Sequence, residues 1–80
     1  MRLDKYLKVS RIIKRRVLAK EASQNNLVYV NDKLAKPSTI IKINDILTLY
    51  LGFKIISVKV ISLENKNNNI MYELIKEEKR

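Results

Sequence analysis

The chain has 80 residues, a net charge of +9 and a pI near 10.0, with 46% hydrophobic residues and neither Cys nor His. That length supports one small domain, and the two missing residue types exclude disulfides, thiolate or ordinary zinc sites, thiol nucleophiles and His-based catalysis. No apolar run approaches the roughly 18 residues of a membrane span, and charges interrupt the opening Met-Arg-Leu-Asp-Lys-Tyr-Leu-Lys where a secretory leader would be apolar. The expectation is a cytoplasmic, monomeric, non-enzymatic protein without metal or cofactor.

In chain order, residues 3–13 show helical spacing. Leu3, Leu7 and Ile13, with Tyr6 nearby, share one face, and Lys5, Lys8 and Arg11 lie outward. Residues 15–25 predict a second helix, with Val17, Leu18 and Ala22 inward and Arg16, Lys20 and Gln24 outward. After Asn25-Asn26 the period changes to two. Leu27 to Val30 reads as a strand, Asn31-Asp32 as a two-residue turn, and Lys33-Leu34-Ala35 as the strand leaving it. Pro37-Ser38-Thr39 is a loop and Asn44-Asp45 a second turn. Ile46 to Leu51 is a strand, Gly52 a tight turn, and Phe53 to Ile61 the longest strand. Ile70 to Ile75 completes the sheet, and Lys76 to Arg80 is read as a solvated tail. The predicted fold is α+β: two N-terminal helices packed on a small, mainly antiparallel sheet. The whole chain forms one domain, with a core over 1–51, C-terminal strands over 53–75 and a charged tail over 76–80.

Charge distribution points to function. Residues 1–20 carry eight bases against the single acid Asp4, or +7, whereas residues 21–80 carry nine bases and seven acids, or +2. Two helices with apolar faces turned to a sheet can gather Arg2, Lys5, Lys8, Arg11, Lys14, Arg15, Arg16 and Lys20 into one patch. Such a field attracts polyanions, and the Arg fork suits phosphate oxygens and bases. Backbone amides at the start of the second helix offer a further anion site. A face that merely keeps a protein soluble usually mixes signs; this one does not. Asp4 is either a first-turn acid complementing the helix dipole or a residue that orients Arg2, Lys5 or Arg16, or accepts from RNA. Tyr29 is either half-buried packing or a stacking platform for a base. Asn26, Asn31 and Asn44 stand where the backbone turns sharply, and Asn tolerates positive φ.

The opening Arg2-Leu3-Asp4-Lys5-Tyr6-Leu7, then Lys14-Arg15-Arg16, Ala19 and Ala22, Val28-Tyr29-Val30-Asn31, Lys36-Pro37-Ser38 and Asp45 to Leu49 follow one order and spacing. Together they resemble the RNA-binding domain named after ribosomal small-subunit protein four, over about residues 1–51. Residues 8–16 and the ending Tyr72 to Lys79 are closest to the ribosome-associated quality-control members of the heat-shock protein fifteen-like group. That resemblance implies binding to large ribosomal subunits that hold a peptidyl-tRNA after stalled translation. It also implies holding that tRNA while a partner factor directs template-free alanine tailing. The helix pair would contact both tRNA and large-subunit rRNA, with Arg2, Asp4 and Arg16 foremost. Family members usually carry Gly at the places held here by Asn26, Asp32 and Asn44.

Other readings are a heat-shock-type factor recycling large subunits, or a generic rRNA-binding protein. An RNA-modifying enzyme carrying this module would need a catalytic domain, and neither that nor a methyl-donor loop follows the module here. A basic amphipathic helix can also bind anionic lipid or an acidic protein. These helices, however, spend their apolar faces on the sheet and offer no Trp or Phe wedge.

Overall fold

The computed structural model describes residues 1–12, 27–51, 54–64 and 70–79. Among them, helix α1 spans Leu3–Val9, and five strands follow: β1 Val28–Val30, β2 Lys33–Leu34, β3 Ile46–Leu51, β4 Lys54–Val60 and β5 Tyr72–Lys79. The strands form one antiparallel sheet in the order β2-β1-β3-β4-β5.

This architecture corrects the expected layer of two N-terminal helices on a sheet. The described residues hold one short helix and are mostly β. The predicted second helix, over 15–25, lies outside them, as do Asn26 and the Gly52 turn. The first helix is also shorter than its apolar periodicity suggests. It stops at Val9 because Arg11 turns left-handed, at φ 63°. The Arg11 N–H donates to the Lys8 carbonyl at 3.2 Å, closing the last turn as a C-terminal cap. The Ser10 hydroxyl, in long 3.5 Å contacts, bridges the Leu7 carbonyl and the Ile12 N–H.

The turns follow the local chemistry. Asn31 and Asp32 have φ of 51° and 67°, the two successive positive values of a type I′ hairpin turn, whose twist matches the strands it joins. Asn44 has φ 77°. Two of the three positions where family members usually carry Gly are therefore left-handed here, occupied by residues that tolerate that region.

β4 spans 54–60 rather than 53–61, and β5, with eight residues, is the longest strand. β5 starts later and runs further than Ile70 to Ile75. Residues read as a solvated tail pair with β4: Lys76 lies opposite Ser57, Glu77 opposite Ile56 and Lys79 opposite Lys54. An edge strand needs only one paired side, so charged residues can occupy it, and they discourage edge-to-edge association. Lys54 meets Glu77 at 3.3 Å and Lys76 meets Glu78 at 2.8 Å. A register shift at Ser57/Val58 leaves Ile75 without an opposite residue, as in a bulge.

One face of the sheet carries the core. Val28, Leu47, Leu49, Ile56, Val58 and Val60 are buried and cluster with Leu3, Tyr6 and Leu7 of α1. The Tyr6 hydroxyl donates to the Met71 carbonyl at 2.6 Å, joining α1 to the segment that enters β5. Burial, helped by Tyr72, pushes that hydroxyl up from 10.0 to about 12.

Because the folded pKa of Tyr6 exceeds its unfolded value, its contribution to stability is complete below pH 10 and is lost as pH rises toward 12. That alkaline loss is on the order of 2 kcal/mol; it reflects the penalty for burying tyrosinate, not what the hydroxyl adds at neutral pH. Tyr6→Phe should cost roughly 1 kcal/mol at neutral pH and flatten the alkaline loss of stability. Urea unfolding at stepped pH, with tyrosinate absorbance followed in parallel, measures both effects.

Candidate nucleic-acid interface

A helix of seven residues is too short to persist alone, and its first amides have no intrahelical partner. Here the chain itself supplies them. The Leu3 N–H donates to the Thr39 carbonyl at 2.7 Å, and the Asp4 N–H to the Pro37 carbonyl at 3.1 Å. The Lys5 N–H donates to Asp4 Oδ1 at 2.8 Å. Arg2 forms an antiparallel bridge with Ile40, and the Ile41 N–H donates to the Met1 carbonyl at 2.7 Å. The amino end of α1 is thus stitched to residues 37–41. Its first amides are spent on two backbone carbonyls and the Asp4 carboxylate, so anion binding on this helix falls to side chains.

Those side chains point to water. Arg2, Lys5, Lys8 and Arg11 are exposed, whereas Leu3, Tyr6 and Leu7 are buried. Helical periodicity therefore separates the faces as the sequence suggests: apolar positions meet the sheet and cations face outward. Arg2 Nη2 donates to Asp4 Oδ2 at 3.1 Å. With side chains 57% and 30% exposed, this pair adds little stability. It does restrict the guanidinium, so the reading in which Asp4 orients Arg2 has a structural basis. Asp4 also sits in the first turn of α1, where the dipole favours an acid.

Lys14, Arg15, Arg16 and Lys20 lie outside the described residues. Tyr29 is described, and it is not gathered with the cations of α1. It alternates with buried Val28 on β1, which puts it on the sheet face away from the core. There it is half-buried and makes an edge-to-face contact with Tyr50, at 5.7 Å between ring centroids and 63° between planes. That contact is what the packing alternative for Tyr29 calls for.

Sequence reasoning did not single out residues 33–42. Lys33, Lys36 and Lys42 are exposed, and the segment carrying them is tied to Arg2 through the Arg2–Ile40 bridge. The only signal in the sequence was three lysines without a nearby helical pattern, and a pairing with the first residues of the chain leaves no periodic trace. The β4–β5 surface is different in kind. Lys54 and Lys76 are paired with Glu77 and Glu78, and its four lysines face three glutamates in all, so it offers little net field to a polyanion.

Arg11 combines an exposed cation with a left-handed backbone, which costs a residue other than Gly about 1 kcal/mol. Arg11→Gly is expected to leave stability unchanged or raise it by up to about 1 kcal/mol. The same substitution should lower the salt dependence of RNA binding by about one charge. Thermal unfolding beside filter binding over a salt series separates the two effects.

Three comparisons with known proteins bear on this surface. A family model described as "S4 domain" matches residues 1–47. A protein of Streptococcus pneumoniae named "RQC P-site tRNA stabilizing factor" is 48% identical, the alignment covering 96% of this chain and 92% of that protein. A Bacillus subtilis protein of the same name is 45% identical over 99% of this chain and 96% of its own length. Among solved structures, trimeric heat shock protein 15 of Vibrio cholerae superposes with a TM-score of 0.81 at 26% identity, over 94% of this chain and 81% of that one.

Proposed function

The chain belongs to the S4 domain family, and from that premise we propose that it stabilises P-site tRNA on the large ribosomal subunit during ribosome-associated quality control. The observation that carries the reading is near-full-length identity of 45–48% to relatives bearing that name, with both chains covered almost end to end. The physics of α1 supports it. An exposed row of cations on an anchored helix holds phosphates in a fixed frame, and A-form RNA is recognised largely by its shape and backbone. Fixed cations are the right tool for that task.

The protein acts as a clamp between two RNAs, tRNA on one side and rRNA on the other, making and breaking no bond. Its setting is the cytoplasm, where stalled ribosomes are found. While the tRNA is held, a partner factor directs alanine tailing of the nascent chain. The clamp works as a monomer, its β5 edge blunted by charged residues.

A heat-shock-type role in large-subunit recycling is the second reading, favoured by the likeness to the Vibrio cholerae structure. The particles recovered with the tagged protein discriminate the two. Large subunits carrying a P-site tRNA support the clamp, and large subunits without tRNA support recycling.

Charge reversal at two exposed positions, Arg2→Glu with Lys5→Glu, should leave the domain folded and strip it from large-subunit particles. Each lost phosphate contact lowers the salt slope of RNA binding by about one. Undiminished co-sedimentation of the folded variant with large subunits would refute the clamp.

A further inference from the structure

Beside the N-terminal pairing lies a concavity of about 390 Å³, within the range of small-ligand sites. Its walls come from two turns that are tied together. The Asn31 side-chain amide donates to Asp45 Oδ1 at 3.1 Å, and Asn31 Oδ1 accepts the Ile46 N–H at 2.9 Å. Asp45 Oδ2 accepts the Lys42 N–H at 2.9 Å. The walls are therefore set before any ligand arrives. Lys33 and Lys42 line the concavity together with Leu34 and Ile40. These two aliphatic side chains are 52% and 57% exposed although they belong to an ordered part of the fold.

Large aliphatic groups left in water beside cations suit a ligand that is flat and apolar at one end and anionic at the other. A nucleotide has that chemistry, its base lying against Leu34 and Ile40 and its phosphate reaching Lys33 or Lys42. An acidic peptide with apolar side chains shares part of it. Continuity favours RNA: Ile40 is bridged directly to Arg2, so the concavity adjoins the cationic row of α1.

We infer that this concavity is a second RNA contact, which receives one unstacked nucleotide from a single-stranded or loop segment while α1 grips the phosphates of a neighbouring helix. The inference rests on the RNA-clamp reading and adds to it a preference for unpaired RNA at a particular place.

Amide chemical shifts of the full chain test this, with a single-stranded oligouridine, a blunt RNA duplex and a Glu/Leu-rich acidic peptide as probes. Oligouridine should move the amides of Leu34, Thr39, Ile40 and Lys42, whereas the duplex should move those of α1. In the Leu34→Ser, Ile40→Ser double variant the concavity shifts should vanish and oligouridine affinity should fall about fivefold, as expected when one base loses its apolar contact with two aliphatic side chains. Both positions are exposed, so the variant keeps its core. Concavity amides that stay still with oligouridine, while α1 amides respond to duplex, overturn the inference and leave the clamp standing. If α1 ignores the duplex as well, the RNA reading itself fails. Movement of the concavity amides with the acidic peptide alone replaces the nucleotide by a protein partner.

Discussion

A seven-residue helix cannot hold its own shape in water, and the molecule is organised around that fact. Two attachments hold α1 in place. Its first amides are spent on the carbonyls of Pro37 and Thr39, and the Tyr6 hydroxyl is spent on the carbonyl of Met71. Leu3, Tyr6 and Leu7 then complete the core over the sheet. With the apolar face pinned, the opposite face has no freedom to turn, and the backbone positions of its cations keep a fixed spacing. Recognition by shape is served by that frame, because it limits where each charged head can reach.

Charge is distributed unevenly over the described surface. On α1 nothing opposes the cations except Asp4, so their field reaches solvent. On the β4–β5 surface, Lys76 and Lys54 are answered by Glu78 and Glu77 at 2.8 and 3.3 Å. A hydrogen bond from the Lys76 ammonium to Glu78 raises its pKa, although both side chains are largely exposed. One surface therefore presents charge for a partner, and the other neutralises it locally and protects a sheet edge. Lys36 and Lys42 belong with the first, because each adjoins a residue bonded to the start of the chain: the Pro37 carbonyl accepts the Asp4 amide and the Ile41 amide donates to Met1.

Much of this was legible from residue order, and the misses have particular causes. Strand β3 was found at its ends because alternating Leu47 and Leu49 point into the core while Asp45 closes the turn before it. The left-handed residues at Asn31, Asp32 and Asn44 were legible from Asn and Asp chemistry. Arg11 was not, since nothing local marks an Arg for positive φ, and the helix was overextended as a result. The late end of β5 was hidden because charged residues on an edge strand look the same as a solvated tail. The pairing of Met1 to Leu3 with residues 39–41 involves backbone alone and has no side-chain signature. In the binding surface, the cations of α1 were visible as a one-sided run. The placement of Tyr29 on the far sheet face was not, because the β1 period shows alternation but not which side the helix covers.

Asp4 shows how little a static energy tally would say about this surface. Its bond with Arg2 is largely exposed and worth at most about 1 kcal/mol to the fold, and its negative charge opposes the attraction of a polyanion. On affinity alone the residue is a liability. Its two oxygens, however, do separate jobs: one accepts the Lys5 amide in the first helical turn, the other holds the Arg2 guanidinium. A long Arg side chain loses rotamer freedom when it binds phosphate. Holding it against a helix-anchored carboxylate removes part of that loss beforehand, which favours fixed geometry over raw charge. A protein that must recognise one folded RNA among many polyanions gains more from that geometry than from an eighth unopposed unit of charge in its first twenty residues.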